Sequence, residues 1–329
     1  MDKRKVILDV DTGADDAVAI MLALLAPELE VIGICSVNGN REVRLTTDNT
    51  LRVLDLLGRG EVPVYRGCEY PMVSTLKPGR KPNIPWREGM MTGVEALVHG
   101  DHLEIPETDL KEQEECAVSY LVHALKNAKE KITLIPVGPL TNIGMALRVA
   151  PEIAENIEEI MIMGGGFLTN NSSAVSEYNV WVDPEAAEIV MQSGCKITWV
   201  PLDATHECYL TTEDAAEIRK LGTKTADAVA AIIEKRTRGY SNDVDMKEYS
   251  GAPVHDALAV CALLDPTVLT EVEEVNCHVD IAAGYADGQT CLDRRMRTNK
   301  EAPNCRFAMH ADREKFRSMV IDILKLADR

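Results

Sequence analysis

The chain has 329 residues, of which 46% are hydrophobic and 27% charged, and it carries a formal net charge of -18 at pH 7. Such a length and balance suit a folded α/β protein with a sizeable core and exclude a disordered one. The acidic excess argues against nucleic acid or an anionic membrane surface as partner, since both reward basic patches, and favours a small neutral or cationic ligand.

No window reaches the roughly 18 uninterrupted apolar residues of a membrane span, and the start MDKRKVILDVD runs into acids without a signal-peptide pattern, so a cytoplasmic location is expected. The nine cysteines form an odd set without a C-x-x-C pair. They read as reduced core residues, not as a disulfide framework or a zinc site.

The first element pair is also the most informative. Val6, Ile7, Leu8 and Val10 predict a strand buried on both faces, Thr12 and Gly13 a turn, and Ala17 to Ala26 a helix with Val18, Leu22 and Leu25 along one stripe. Four carboxylates, Asp9, Asp11, Asp15 and Asp16, crowd the junction. They would repel one another and lose hydration unless a cation or a bank of hydroxyl donors sits between them. Helix-dipole complementarity accounts for Asp15 and Asp16 but leaves Asp9 and Asp11 unexplained. An EF-hand loop begun at Asp9 would need a glutamate where Ile20 stands. An aspartyl-phosphate phosphatase would want a hydroxyl where Gly13 stands, and it stays open as an alternative.

VIGICSVNGN predicts a second strand, Val31 to Val37, ending in an Asn38-Gly39-Asn40 turn, and a helix follows from about Val43 to Leu57. A right-handed crossover makes the two strands parallel, so Asn40 shares an edge with the aspartates, although a capping asparagine in a tight turn would read alike. VPVYRG is a third strand. Residues 68 to 112 form a long Pro- and Gly-rich segment of the kind that serves as a lid, with Trp86 its one tryptophan. A helix over 113 to 128 leads to the strand Ile132 to Val137, a Gly-Pro turn and a helix from near Thr141; that turn makes the Val137 carbonyl a candidate ligand for a hard cation.

After the next strand, three glycines open a polar loop with Asn170, Asn171, Ser172, Ser173, Glu177 and Asn179. No Lys-Ser/Thr follows the glycines, so this set suits sugar hydroxyls better than phosphate. Further on come a helix marked by Asp183-Pro184, the strand KITWVPL, helices over about 212 to 220 and 224 to 238, and SNDVDMKEYSGAP as loop. VHDALAVCALLD is a helix with His255 and Asp256 in its first turn. Strands near 272 to 281 and 289 to 296, a short strand and a closing helix complete a chain without repeats or linkers, and a single domain is expected.

Taken together, DVDTGADDAVAI, the VNGN turn, VGPLTNIGMA, MGGG followed by N-x5-E-x-N, VDPEAA and VHDALAV resemble the inosine-uridine type nucleoside hydrolases, over residues 5 to about 327. The resemblance implies a Rossmann-like, mostly parallel central sheet with helices on both faces and an active site at the carboxyl ends of the strands. It implies one Ca²⁺ held by Asp11, Asp16, Asp256 and the Val137 carbonyl, where relatives often have threonine. Asp15, Asn40, Asn171, Glu177 and Asn179 fall on ribose-holding positions. Asp11 would double as the base that takes a proton from water, and His255 would protonate or polarise the departing base. Met163, Trp86 and Tyr240 are base-side candidates. Relatives commonly carry a histidine where this chain has NIPWREGMMTG; none occurs between residues 67 and 98, and with His255 present the nonspecific or pyrimidine-leaning branch is the expectation. A homodimer or homotetramer is implied. A catalytically idle nucleoside- or ribose-binding protein is the alternative from a different class.

Overall fold

A computed structural model of the chain describes residues 3–76, 102–240, 251–296 and 300–327. Its strands are β1 (Arg4–Val10), β2 (Leu29–Ser36), β3 (Val64–Arg66), β4 (Ile132–Pro136), β5 (Ile157–Met163), β6 (Ile197–Val200), β7 (Tyr209–Thr211), β8 (Gly251–Pro253), β9 (Leu269–Val275), β10 (Cys277–Val279), β11 (Thr290–Leu292) and β12 (Cys305–Ala311). Eight of them form one sheet in the order β3-β2-β1-β4-β5-β6-β12-β9. Every neighbouring pair is parallel except β12 with β9. The single-domain α/β architecture with a mostly parallel central sheet is therefore the one expected.

Strand β1 lies at the centre because both of its faces are apolar. Successive side chains point to opposite faces of a strand. Val6, Leu8 and Val10 accordingly join one core, with the helices Ala14–Leu25 and His255–Leu264, while Ile7 joins the other, with the helices Ala117–Lys126 and Thr141–Val149. The chain proceeds from β1 outward to β2 and β3, then returns to place β4 on the other side of β1. Such a reversal opens a crevice at the carboxyl ends of the two central strands. The register sets Val10 opposite Ser36 and Asp9 opposite Pro136, so the turns after β1, β2 and β4 leave from one edge.

Four details differ from the sequence expectations; one is that the helix expected over 113 to 128 spans only Ala117–Lys126. The first helix begins at Ala14, not Ala17, because the Asp16 carboxylate accepts the Gly13 amide at 2.8 Å and closes the first turn early. The end of the segment expected as loop, Gly251–Pro253, is a strand paired antiparallel with β7. The stretch expected as one strand near 272 to 281 divides at Asn276, with β9 in the main sheet and β10 paired to β11. Asn276 turns its amide to the Ala302 carbonyl, which fits a change of direction between two strands. The lid expected between residues 68 and 112 lies largely outside the described residues.

Candidate active site

Two buried helices deliver most of the acids. Helix Ala14–Leu25 is enclosed from Ala14 to Leu24, helix His255–Leu264 from His255 to Leu263, and the two pack against one another. Apolar on all sides beyond their first turns, neither could lie at the surface. Asp15 and Asp16 occupy the first turn of one, Asp256 that of the other, where the partial positive charge of the helix end favours carboxylates. Oxygens of these three residues lie within 4.8 Å of one another.

Asp11 reaches the same point from the end of β1. The two Asp16 oxygens accept the Asp11 amide at 3.1 Å and the Gly13 amide at 2.8 Å, and Asn40 adds its side-chain amide to Asp16 at 3.2 Å. The Asn40 backbone amide donates to Asp11 Oδ2 at 2.6 Å. A Cβ on Gly39 would collide with that oxygen, and one on Gly138 would stand 2.7 Å from Asp11 Oδ1. Only glycine lets the turns after β2 and β4 close on the carboxylate.

Electrostatically the group is unresolved by the protein alone. Burial pushes Asp11 well above the usual carboxylate range, with the Asp16 charge adding to it. Burial does the same to Asp256, reinforced by Asp15, Asp16 and Asp11 and opposed by Arg236. Asp16 is raised to about 6 by burial and then by Asp15. Asp9 sits beneath them on the other face of the sheet, raised by burial to about 7; Asn142 donates to its Oδ1 at 2.7 Å, while its Oδ2 is buried without a hydrogen-bond partner. A closely spaced, all-oxygen, acidic donor set of this kind fits a hard divalent cation.

The remaining expected residues fall at different distances from this centre. The Val137 amide donates to the Asp9 carbonyl at 2.9 Å, and the Val137 carbonyl accepts the Asn179 side-chain amide at 2.8 Å, which occupies one of its two lone pairs. Asn179 also donates to the Met163 carbonyl at 3.3 Å, so Val137, Met163 and Asn179 share one corner. Glu177 is raised to about 7 by burial; its oxygens accept the amides of Gly165 at 2.7 Å and Asn179 at 2.9 Å, capping the helix Tyr178–Val182. Asn171 is exposed, and its amide oxygen accepts the Ser172 hydroxyl at 3.1 Å. His255 is buried, with Nδ1 2.8 Å from the Thr205 hydroxyl and Nε2 3.4 Å from the Tyr240 hydroxyl. Trp86 lies outside the described residues.

The sequence model of the inosine-uridine preferring nucleoside hydrolases matches residues 6–318. The chain belongs to this family. The inosine-uridine preferring nucleoside hydrolase of Leishmania major is 37% identical over 325 residues, covering 98% of each chain. The pyrimidine-specific ribonucleoside hydrolase RihA of Escherichia coli K12 is 34% identical over 320 residues, covering 97% of this chain and 98% of its own. Among solved structures, a purine-preferring ribonucleoside hydrolase from Gardnerella vaginalis superposes with a TM-score of 0.86 at 33% identity, covering 98% of this chain and all of that one.

One buried member of this nucleoside hydrolase's site escaped the sequence reading. Arg236, wholly enclosed, places Nη1 2.8 Å from Asp15 Oδ1 and donates from Nε to the Pro253 carbonyl at 2.9 Å. In the run EKRTRGY it reads as one of several solvated charges. The available signal was its place on the stripe Val229, Ile232, Ile233, Arg236, where a cation at helical spacing among apolar residues has to meet an acid. Thr205, which supports His255, carried no such signal.

Proposed function

We propose that this nucleoside hydrolase cleaves the N-glycosidic bond of ribonucleosides with the help of a calcium ion held by Asp11, Asp16, Asp256 and the Val137 carbonyl, releasing free base and ribose. The observation that carries the reading is the convergence of four buried carboxylates and Asn40 at the crevice between β1 and β4. Once bound, calcium would supply an electrophilic grip on water and on sugar hydroxyls, chemistry that suits an all-oxygen, acidic donor set.

The chain's own residues carry the remaining work. Asp11 takes a proton from the water whose oxygen attacks the anomeric carbon. Asp15, Asn40, Asn171, Glu177 and Asn179 hold the ribose. As the bond to the base breaks, its electron pair leaves with the base nitrogen and the sugar gains oxocarbenium character. Fixed carboxylates around it favour that charge. His255 gives a proton to the departing base, with the Thr205 hydroxyl at Nδ1 and the Tyr240 hydroxyl at Nε2 fixing the ring. Met163 and Tyr240 line the base side.

The whole chain, 1–329, acts as one nucleoside hydrolase domain, nonspecific or pyrimidine-leaning, in the cytoplasm and as a homodimer or homotetramer, on free nucleosides and not on nucleic acid or membranes. Two facts support the location: all nine cysteines are free, and no helix among the described residues is long and apolar enough to cross a membrane. Incubation with a panel of nucleosides, with and without a calcium chelator, tests the whole reading. Base release that stops in chelator and returns with calcium is the expected result; a nucleoside recovered uncleaved after long incubation with calcium would turn the reading to a binding protein. Light scattering reads the assembly.

A further inference from the structure

Four carboxylates at one point leave open which of them grip a metal and which meet the substrate. By distance alone Asp15 belongs with Asp16 and Asp256, since their oxygens lie within 4.8 Å of one another. What separates it is its partner. Asp16 is committed to the amides of Asp11, Gly13 and Asn40, whereas Asp15 Oδ1 meets the Arg236 guanidinium at 2.8 Å. Both side chains are nearly enclosed, at 1% and 7% exposure for Arg236 and Asp15.

The guanidinium is itself held in place. Nε donates to the carbonyl of Pro253, two residues before His255, Nη2 lies 3.5 Å from the Tyr240 hydroxyl, and the group stands 5.4 Å from the centre of the Tyr240 ring. A planar guanidinium anchored on one edge presents its other donors in one fixed direction. We propose that Arg236 is a positioning residue: it fixes Asp15 as a substrate-holding carboxylate and keeps it out of the metal's ligand set. The proposal rests on the calcium-dependent reading above and adds to it how the acids are divided.

Two consequences follow. An Asp15 neutralised through Oδ1 has its other oxygen left for a ribose hydroxyl, and its direction is set before substrate arrives. A cation kept beside Asp15, Asp16 and Asp256 also opposes a second cation among them. Removing Arg236 should thus tighten calcium while loosening nucleoside, a split that general loss of structure would not produce.

The test uses the full chain, with calcium affinity read by calorimetry after chelator treatment and nucleoside kinetics read separately. In Arg236→Met, calcium should bind about tenfold more tightly while KM rises about tenfold and kcat moves less. In an Asp15→Asn background, Arg236→Met should add nothing further to KM, since a residue acting through another has no effect once that other is gone. Additive effects on KM, or calcium affinity falling in step with KM, would overturn the proposal. Should Arg236→Met fail to fold, Arg236→Lys carries the test: it keeps the charge and loses the two-sided fork, so KM should rise with calcium affinity unchanged, and an unchanged KM overturns the proposal. Because calorimetry needs no turnover, a wild-type chain that bound calcium but cleaved no nucleoside would sink the functional reading and leave Arg236 still open to measurement.

Discussion

Asp256 and Asp214 are both carboxylates in the first turn of a helix, and the chain treats them in opposite ways. Asp214 is pushed upward by partial burial, yet its bonds to Arg317 and Thr211 and the nearby Arg313 outweigh this and hold it below the usual carboxylate range. Arg313 Nη2 stands 2.9 Å from one of its oxygens, Arg317 meets the other, and the Thr211 amide donates at 2.9 Å. Asp256 has acidic neighbours on three sides, and Arg236 is the cation that opposes them. The first arrangement is complete within the protein. The second leaves several like charges opposed by one guanidinium, the pattern expected of a carboxylate that serves a ligand and not the fold alone.

The largest effect expected from this contrast is on turnover. Asp11→Ala removes both the proposed metal ligand and the proposed base, and base release should fall by at least about 10⁴-fold in a nucleoside assay with saturating calcium. Near-normal release by that variant would remove Asp11 from the mechanism. His255→Ala should cost less, about 10²–10⁴-fold, and unevenly: nucleosides whose base leaves readily without protonation should lose least. A uniform loss across a panel of leaving groups would mean that His255 shapes the site and does not hand over a proton.

Acid pairing also sets how stability responds to pH. Asp9 and Glu177 are raised to about 7 and Asp16 to about 6, with burial the leading cause in each. A group that holds its proton more tightly when folded gives stability that is complete below its unfolded value, near 4, and that is lost as pH climbs through the folded one. The chelated protein should therefore melt several degrees lower at about pH 8 than at about pH 5, and calcium should restore most of the difference at the higher pH. Thermal unfolding at the two values, with and without calcium, makes the measurement; a melting temperature indifferent to both would mean the acids are relieved by some other means.

How much of this was legible beforehand depended on whether the signal was local. The crowding of Asp9, Asp11, Asp15 and Asp16 needs only repulsion to be noticed, and the placement of Asn40 beside them follows from parallel strands and a common edge. Val137 could be singled out because a strand ending in Gly-Pro leaves its carbonyl without a ladder partner. Arg236 was hidden because its importance is set by a residue 221 positions away, and no periodicity within its own helix says which acid it will meet. Thr205 is further still from legibility: a small hydroxyl between Ala204 and His206 becomes a partner of His255 only through packing of two helices that are distant in sequence. The division of 272 to 281 into two strands was missed because alternation runs on through Asn276 while the backbone changes sheets.

The smallest effect lies at the other carboxylate. Asp214 accepts from Thr211 and from Arg313 and Arg317 of the closing helix, thereby tying helix Thr212–Arg219 to helix Arg313–Leu324. Asp214→Asn keeps the shape and one acceptor while removing the charge, so two arginines lose one carboxylate partner each, Arg313 keeping Glu314 and Arg317 keeping Glu217. A cost of about 1–2 kcal/mol is expected, read as a lowered denaturation midpoint with an unchanged slope. Calcium affinity and kcat/KM should stay within about twofold, because nothing in this contact reaches the crevice between β1 and β4. A marked loss of calcium binding in Asp214→Asn would erase the distinction drawn between the two carboxylates, since the acid cluster would then depend on a charge pairing between two other helices.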